Sequence, residues 1–330
     1  MINIYPWQLP IWQRIHQQRE RLSHALLLHG RAGTGKLDFA QYLSQSLLCS
    51  APINGKACNA CPQCTWFKEG AHPDFKYITP EDAETTEDAP KKKTSKKTQI
   101  SVDQIRQLIQ ALSLTNHGVN SLRVVLIHPA ESLNTASANA LLKVLEEPPN
   151  NTIFILVTHQ IHRLLPTILS RCQSIAMPLP ARDEAVAWLT TQKVANAADV
   201  LDYYGGAPLT VLQAQQDVSA QASVFQQLAK GAKLDSAACA GLLIEQGMEQ
   251  AITLLQKWVF DLQLALHHLP HHYHMQLTKP LQALAKSVNL GVLLEFQRQL
   301  VQAKQTANHP LSQELQLENL LLAYKKVFKH

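Results

Sequence analysis

Four cysteines fall within sixteen residues of the sequence, with the spacing C-x8-C-x2-C-x2-C. Cys49, Cys58, Cys61 and Cys64 offer four thiolates, which is a complete tetrahedral set of ligands for Zn²⁺. A shell of four sulfurs leaves no position open for substrate, so the pattern predicts a structural zinc site that holds a short excursion of the chain together. Redox chemistry is the alternative.

A glycine-rich loop follows a short apolar stretch at residues 25–29. Gly30, Gly35 and Lys36 match the phosphate-binding pattern GxxxxGK, and Gly33 lies within it. In such a loop the glycines let backbone N–H groups surround phosphate oxygens, and the lysine reaches the terminal phosphates. These four residues are candidates for binding ATP or ADP. The alternative is a loop that merely turns the chain.

The groups that hydrolysis requires are missing around this loop. Leu37 follows Lys36 at the position where a Ser or Thr hydroxyl would hold magnesium. The apolar stretch at residues 124–127 ends in His128 and Pro129, neither of which is a carboxylate, and Glu131 would have to reach back. Because metal and base each contribute orders of magnitude in rate, the sequence predicts nucleotide binding at most, without hydrolysis.

Two other sets of residues are interpreted as structural. Five histidines crowd around Pro270, a pattern that fits a solvated connection at a helix end better than a metal site: His267, His268, His271, His272 and His274. Cys172 and Cys239 stand alone, as small buried residues do. Neither set is included among the candidate sites.

Length and composition exclude several classes of protein. A chain of 330 residues exceeds one core, and 46% hydrophobic with 17% charged residues excludes wholesale disorder. A net charge of +5 permits contact with nucleic acid without requiring it. No apolar run approaches the ~18 residues of a membrane span, and the first residues lack a secretory pattern. We therefore expect a cytoplasmic protein with no membrane contact.

The elements that position these residues alternate between strand and helix. The apolar patterns predict buried strands at residues 25–29, 75–78, 123–127 and 153–158. Helices are predicted after the loop, after a capping box at Ser101 and Gln104, and at residues 136–147 and 164–169. This order indicates an α/β fold with a parallel sheet covered on both faces.

Beyond residue 181 the patterns are helical only. The stripes that contain Ile252 to Leu266 and Leu317 to Phe328 predict a helical bundle. We expect three domains: residues 1–179 with the cysteine module at 49–64, a small helical domain at 180–208, and a helical domain at 209–330. Within the first, residues 79–99 carry as many acidic as basic side chains and predict a mobile surface insertion.

Two further motifs carry a family resemblance. The run from Ser137 to Pro149, SANALLKVLEEPP, and the triplet Ser170-Arg171-Cys172 resemble the AAA+ clamp-loader subunits of bacterial DNA polymerase III, and specifically the delta prime branch. The likeness covers nearly the whole chain and is weakest after Leu209. It implies an AAA+ domain with a zinc-binding insertion, a small helical lid domain and a C-terminal helical collar that joins subunits into an open ring.

The resemblance also implies partners and roles. Such rings contain gamma or tau ATPase subunits and a delta subunit, belong to the DNA-directed DNA polymerase holoenzyme, and place a sliding clamp on primed DNA. The chain would contact the clamp and DNA within the complex. Carried over, Arg171 with Ser170 would form an arginine finger that acts on a neighbour's ATP, and Thr158 would stand at the phosphate-sensing position. The alternative for Arg171 is a surface arginine paired with a carboxylate.

Departures from the family pattern favour a non-hydrolysing stator over a motor. Leu37, His128 and Pro129 are incompatible with the gamma and tau pattern, and Leu209 stands where those subunits carry an arginine. Two alternatives stay open: an active ATPase of the gamma or tau type, and a zinc-ribbon protein that binds nucleic acid.

Overall fold

The fold is described from a computed structural model, which covers residues 4–80, 99–114, 122–214, 218–305 and 313–328. The chain divides into two compact units, Met1–Ala187 and Trp188–His330. Most of the predicted charged insertion lies outside the described residues. The division into three domains at residues 179 and 208 stays a prediction. Among the described helices, none combines the length and apolar character of a membrane span.

A parallel sheet forms the centre of the first unit. Its strands are β1 (Ala25–His29), β2 (Phe75–Ile78), β3 (Arg123–Ile127), β4 (Thr152–Thr158) and β5 (Gln173–Ala176). They lie in the order β2-β3-β4-β1-β5, and every pairing is parallel. Because all strands run in one direction, the carboxyl ends of β1, β3 and β4 meet along one edge of the sheet, where the candidate pocket lies.

The strands agree closely with the sequence patterns, apart from one. β1, β2 and β3 have the predicted bounds, and β4 begins one residue earlier than predicted. β5 is not predicted by the sequence. Three of its four residues are exposed and only Ile175 is buried, so it lacks the apolar run that marks the inner strands. Its position is set instead by pairing with β1, where Leu28 lies opposite Ile175.

Helices cover both faces of the sheet. In the first unit they are α1 (Leu9–Gln17), α2 (Lys36–Leu48), α3 (Pro62–Lys68), α4 (Val102–Leu114), α5 (Thr135–Glu146) and α6 (Pro166–Leu169), with α7 (Arg182–Thr191) crossing the boundary between the units. Phe39 of α2 packs in one core with Leu26. Leu141 of α5 packs in the other core with Leu27, the next residue of β1. Successive side chains of β1 point to opposite faces of the sheet, so they pack in two different cores.

Local capping explains where several of these helices begin. The predicted capping box precedes α4: the Ser101 backbone N–H donates to Gln104 Oε1 at 2.9 Å, and the Gln104 N–H donates to Ser101 Oγ at 3.3 Å. The side chain of Asn134 caps α5 by accepting from the Ser137 N–H at 2.8 Å. α6 begins at Pro166, later than predicted, because proline favours the first position of a helix.

Helices alone form the regular structure of the second unit in its described part. They are α8 (Ala197–Tyr203), α9 (Pro208–Ala214), α10 (Val218–Leu228), α11 (Ser236–Ile244), α12 (Met248–Leu266), α13 (Thr278–Ala285), α14 (Leu290–Gln305) and α15 (Gln313–Lys325). Both predicted apolar stripes lie in one core. Inside it, Trp258 Nε1 donates to the Tyr324 hydroxyl at 2.8 Å, which donates to the Leu228 carbonyl at 3.0 Å.

Candidate functional site

The phosphate loop connects β1 to α2 and brings the predicted glycines and lysine together. Gly33 and Gly35 have φ angles of 77° and 79°, a conformation that favours glycine. Gly35 directly precedes α2, so Lys36 begins the helix. A β-carbon added to Gly30 would lie 2.2 Å from the carbonyl oxygen of Met177, so only glycine fits there. These three positions therefore form a tight turn that requires glycine.

An N-terminal segment that sequence patterns did not single out supports this loop from outside. Trp7 Nε1 donates to the Thr34 carbonyl at 3.0 Å. Gln8 is fully buried, and its Nε2 donates to the carbonyls of Thr34 and Gly35 at 3.0 and 2.8 Å. Tyr5 stacks on Trp7 with ring centroids 4.9 Å apart. The only sequence feature that could have indicated this contact is the pair of aromatic residues beside a glutamine near the start of the chain.

Lys36 turns its side chain inward. The residue is 2% exposed, and Nζ donates to the carbonyl of Arg31 at 2.5 Å. Burial lowers the pKa of Lys36 to about 8, while the carboxylate of Glu131 acts in the opposite direction. Leu37, one position on, is half-buried and packs against the apolar core rather than offering an oxygen to the pocket.

Imidazoles occupy the ends of β3 and β4. His128 and His159 face each other with their Nε2 atoms 3.3 Å apart. Burial, with smaller contributions from His159 and Lys36, lowers the pKa of His128 to about 4 despite the opposing charge of Glu131. Glu131 does reach back, as its position required, but Oε1 accepts from the His159 backbone N–H at 3.0 Å. Thr158 is fully buried and accepts from the backbone of the residue two positions on.

The predicted cysteines converge on one point. The ligand atoms of Cys49, Cys58, Cys61 and Cys64 all lie within 4.8 Å of one another. Cys49 Sγ lies 3.5 Å from Cys58 Sγ and 3.9 Å from Cys61 Sγ, and the sulfurs of Cys58 and Cys64 are 4.0 Å apart. Four sulfurs at ~2.3 Å from a tetrahedral zinc ion lie about 3.8 Å from one another. The cluster is therefore consistent with a structural zinc site.

Hydrogen bonds favour the thiolate form at two of the four sulfurs, those of Cys58 and Cys61, whereas burial raises the pKa of Cys49 and raises that of Cys64 to about 12. The Cys58 N–H donates to Cys49 Sγ, and the Cys61 N–H donates to Cys58 Sγ, each at 3.3 Å. Burial opposes ionisation of Cys61, but hydrogen bonds from Ser50, Cys64 and Cys58 outweigh it and lower the pKa of the Cys61 thiol to about 5. A thiol of low pKa is a ready metal ligand because the thiolate is the binding form.

Arg171 and Ser170 lie just after α6. Ser170 Oγ donates to the Thr167 carbonyl at 3.0 Å, and Arg171 NH1 donates to the same carbonyl at 2.9 Å. Arg171 NH2 forms an ion pair with Glu146 at the end of α5. No hydrogen bond or ion pair joins Arg171 to the phosphate loop within the described part of the chain. In the isolated chain, Arg171 is therefore paired with a carboxylate, as the alternative interpretation of the sequence predicts.

The histidines near the end of α12 differ from expectation. His267, His268 and His272 are exposed, as a solvated connection predicts, but His271 and His274 are buried. His274 Nδ1 lies 2.8 Å from a carboxylate oxygen of Asp261, which is fully buried. The interpretation as a wholly solvated connection is therefore wrong for these two. The five form no metal-binding group in the described part of the chain.

The parallel sheet with its phosphate loop, the four-cysteine insertion and the helical second unit define the clamp-loader fold. A solved gamma subunit-related protein of DNA polymerase III from Thermotoga maritima shares this fold, with a TM-score of 0.50 and 18% identity over 97% of this chain and 99% of that one. The family profile described as DNA polymerase III, delta subunit, matches residues 8–180.

Relatives specify the branch. The delta' subunit of DNA polymerase III from Pseudomonas aeruginosa is 34% identical over 98% of both chains. The delta' subunit from Escherichia coli is 34% identical over 60% of this chain and 55% of its own. The chain belongs to the family of DNA polymerase III delta' subunits, which are clamp-loader components in DNA replication.

Proposed function

We propose that this chain is a non-hydrolysing stator of the clamp loader, which helps to place a sliding clamp on primed DNA and supplies Arg171 to the ATP site of a neighbouring subunit. The observation that carries the proposal is the chemistry around the phosphate loop. Leu37, His128 and Pro129 occupy positions where a motor needs a hydroxyl and carboxylates. The loop keeps its backbone and Lys36, so ATP or ADP can bind there without being hydrolysed.

Hydrolysis requires a magnesium ion and a positioned base. Magnesium prefers oxygen ligands, and the leucine after Lys36 provides none. The carboxylate of Glu131 acts electrostatically on Lys36, but one of its oxygens already accepts a backbone N–H. The histidines at the strand ends are poor substitutes, because an imidazole with a pKa of about 4, as in His128, is a weak base and because imidazole nitrogens do not bind magnesium well. The loss of both functions in one pocket supports a role that is mechanical rather than catalytic.

The ion pair between Arg171 and Glu146 is weak enough for the arginine to be transferred to a partner. The side chains of Arg171 and Glu146 are 32% and 50% exposed. Exposed ion pairs contribute only about 0 to 1 kcal/mol, because water screens them. A triphosphate on an adjacent subunit offers the guanidinium two oxygens and more charge than one carboxylate does. Glu146 would hold the arginine in the free chain, and the neighbour's phosphate would replace it on assembly.

The remaining parts of the molecule suit a ring subunit. The expected neighbours are gamma or tau ATPases and a delta subunit, with the clamp and DNA reached through the complex. The cysteine cluster would hold zinc as a structural ion, since four sulfurs leave it no open position. The helical second unit would act as the collar that fixes subunit order. This work takes place in the cytoplasm.

The decisive experiment reconstitutes the ring with Arg171→Ala and measures DNA-stimulated ATP turnover. Because arginine fingers contribute about 10³-fold or more, we expect a large fall while the complex still assembles. Arg163→Ala is the matched control, since it removes an exposed arginine close by in the sequence. Gel filtration checks assembly. Unchanged turnover in an assembled ring carrying Arg171→Ala would show that the arginine has no role in trans.

A second measurement separates the stator from a motor. The purified chain is incubated with saturating ATP and magnesium, alone and as Lys36→Ala. We expect no turnover from either protein. Turnover that disappears in the lysine variant would instead assign the chain to the ATPases of the gamma and tau type.

A further inference from the structure

A cavity of about 430 Å³ opens in the helical second unit and takes no part in the function proposed above. Its walls come from α8, α9, α10 and the segment that leads from the histidines into α13. Binding sites for drug-sized ligands occupy about 300 to 1,000 Å³ and combine a mainly apolar wall with a few polar groups. The volume therefore suits a ligand larger than a single ring.

Aromatic rings form much of the wall. Tyr203 at the end of α8, Tyr204, Phe225 of α10 and Tyr273 all line the cavity. The rings of Tyr203 and Tyr273 lie edge to face, with centroids 6.2 Å apart. Lys257 holds the first of them in place, because its Nζ lies 3.8 Å from the ring centroid and donates to the Tyr203 carbonyl at 2.7 Å. Rings fixed in this way offer faces and edges to an aromatic guest.

One imidazole in the wall has an unused nitrogen. His274 is 5% exposed, and its Nδ1 lies 2.8 Å from a carboxylate oxygen of Asp261, which also accepts the backbone N–H groups of residues 272–274. Burial lowers the pKa of His274 against the raising effect of Asp261, so the ring is neutral and its one proton lies on Nδ1, towards the carboxylate. Nε2, on the other side of the ring, is buried and has no partner among the described residues. Because a buried acceptor without a donor is costly, this wall favours a ligand that brings an N–H or an O–H.

The rim of the cavity matches a polypeptide better than a free aromatic compound. Gln226 and Gln276 are exposed there, and their amides both donate and accept, as peptide groups do. Met275 is 49% exposed, and a methionine side chain adapts to the shape of a partner. In the described part of the chain, Asp199 is the one lining residue with a charged side chain. A basic residue beside the inserted ring would complement it.

We propose that this cavity binds a short segment of a partner protein through one inserted tryptophan or tyrosine side chain, whose N–H or O–H donates to Nε2 of His274, with a basic residue of the same segment beside Asp199. Tryptophan and tyrosine are common anchors of protein interfaces because one ring buries a large apolar area. Their polar atom needs a hydrogen-bond partner when it is buried, and the imidazole supplies one. The proposal goes beyond the stator function, since neither the phosphate loop nor Arg171 takes part.

The test is isothermal titration of the full chain, at neutral pH, with tripeptides that are acetylated and amidated at their ends. A central tryptophan or tyrosine is flanked by two lysines, and matched peptides carry 1-methyltryptophan or phenylalanine instead. The matched peptides keep the ring but leave Nε2 without a donor, so we expect them to bind about tenfold more weakly. Free indole and phenol form a separate arm. They carry the same donors without a backbone, and we expect them to bind more weakly than the peptides.

Variants assign the binding to this cavity. His274→Asn keeps a donor for Asp261 in the place of Nδ1 but has no acceptor in the place of Nε2, so the preference for the donor-bearing peptides should disappear. Ala222 is exposed on α10 and lines the cavity, and Ala222→Phe should weaken binding of every peptide by about tenfold or more, because the added ring fills the space. Ala237→Phe, at an exposed position of α11 outside the cavity, is the matched control and should bind like the natural chain.

Asp199→Asn tests the rim. It should weaken binding of the lysine-flanked peptides only about threefold, since the charge is exposed to water. Thermal unfolding confirms that each variant is folded. Because Ala222→Phe changes an exposed residue, it keeps the proposal open to test even if His274→Asn unfolds the chain.

Four results would overturn the proposal. The first three are no binding of the tryptophan and tyrosine peptides at millimolar concentration, equally tight binding of the peptides that lack the donor, and binding that survives Ala222→Phe unchanged. The fourth is binding of free indole or phenol as tight as that of the peptides, which would assign the cavity to a free aromatic compound rather than to a partner segment. None of these results bears on the test with Arg171→Ala, which leaves this cavity unaltered.

Discussion

The two sites of the first unit lie at opposite ends of one helix. Lys36 begins α2 at the phosphate loop, and Cys49 directly follows its last residue at the cysteine cluster. At the cysteine end, all ligands come from sixteen neighbouring residues and form one complete set. At the loop end, the side chains come from several strands, and they provide no hydroxyl at residue 37 and no carboxylate at the end of β3. The two sites therefore differ in how many separate segments have to supply their chemistry.

The frame of the loop persists because the fold depends on it. The carbonyls of Thr34 and Gly35 accept hydrogen bonds from Trp7 and Gln8, which ties the start of the chain to the first turn of α2. A shift of the loop backbone would leave the buried side-chain N–H groups of Trp7 and Gln8 without these acceptors, whether or not a nucleotide binds. Leu37 packs against the apolar core and His128 contacts His159, but neither is tied to the N-terminal segment by a hydrogen bond among the described residues.

The largest effect is expected at the cysteine end. Cys64 is 1% exposed, and Cys64→Ser removes one of the four sulfurs from a buried position. We expect loss of bound zinc and a fall of about 4 kcal/mol in the free energy of unfolding, since loss of a structural metal is among the most destabilising changes. Atomic absorption measures the zinc, and urea unfolding followed by circular dichroism measures the stability.

The control for this change is Cys172→Ser. Cys172 is a half-buried cysteine outside the cluster, so its replacement should leave the zinc content unchanged. If Cys64→Ser retained its zinc and its free energy of unfolding, the four-sulfur cluster would not stabilise the fold. The contrast between the two ends of α2 would then disappear.

The next effect tests whether the loop is a structural frame. A β-carbon added at Gly35 would lie 2.4 Å from the ring of Tyr5, and the φ angle of 79° also opposes any side chain. We expect Gly35→Ala to destabilise the unit by about 3 kcal/mol, the sum of backbone strain and displacement of the ring. Gly70→Ala is a matched control, because Gly70 has a φ angle of 72° and no atom within 4 Å of the added carbon.

Gly70→Ala should cost about 1 kcal/mol, which is the conformational part alone. The difference between the two variants measures how tightly the N-terminal segment holds the loop. Equal losses would show that Tyr5 moves aside freely, and the segment would then not support the phosphate loop.

The same contrast explains what sequence patterns could predict. The cysteine cluster was predicted completely because its spacing is local, and the inner strands because long apolar runs such as β4 are buried on both faces. β5 was missed because it is short and exposed, and its pairing with β1 is not local. The contact of Gln8 with the loop crosses 26 residues, and that of His128 with His159 crosses 31. Such contacts appear only once the sheet is formed.

Substitution of Lys36 is expected to increase the stability of the chain, by less than Cys64→Ser and Gly35→Ala decrease it. Because burial lowers its pKa, the charged lysine destabilises the folded chain, and Lys36→Met should raise the free energy of unfolding at pH 7 by about 2 kcal/mol after allowance for solvent screening. Lys143→Met on the surface of α5 should change stability by less than about 0.5 kcal/mol. Urea unfolding compares the three proteins.

The pH dependence follows from the same shift. Between pH 8 and pH 10.5 the lysine of the unfolded chain holds its proton, while the folded chain has released it. The unfolded state then binds more protons, so the stability of the natural chain rises with pH across this interval relative to Lys36→Met. An advantage of the methionine variant that stays constant from pH 7 to pH 10 would show that the ammonium carries no burial cost.

The smallest effect comes from restoring a single missing group. Leu37→Ser returns the hydroxyl that magnesium would need, but His128 and Pro129 still end β3 without a carboxylate. We expect no ATP turnover by the purified variant and a stability loss of about 1 kcal/mol, because Leu37 is half-buried against the apolar core. Leu37→Ala is the control, since it removes the same packing without adding a hydroxyl. ATP turnover in Leu37→Ser but not in Leu37→Ala would mean that the side chain at position 37 alone prevents hydrolysis. The histidine and proline at the end of β3 would then not matter for turnover.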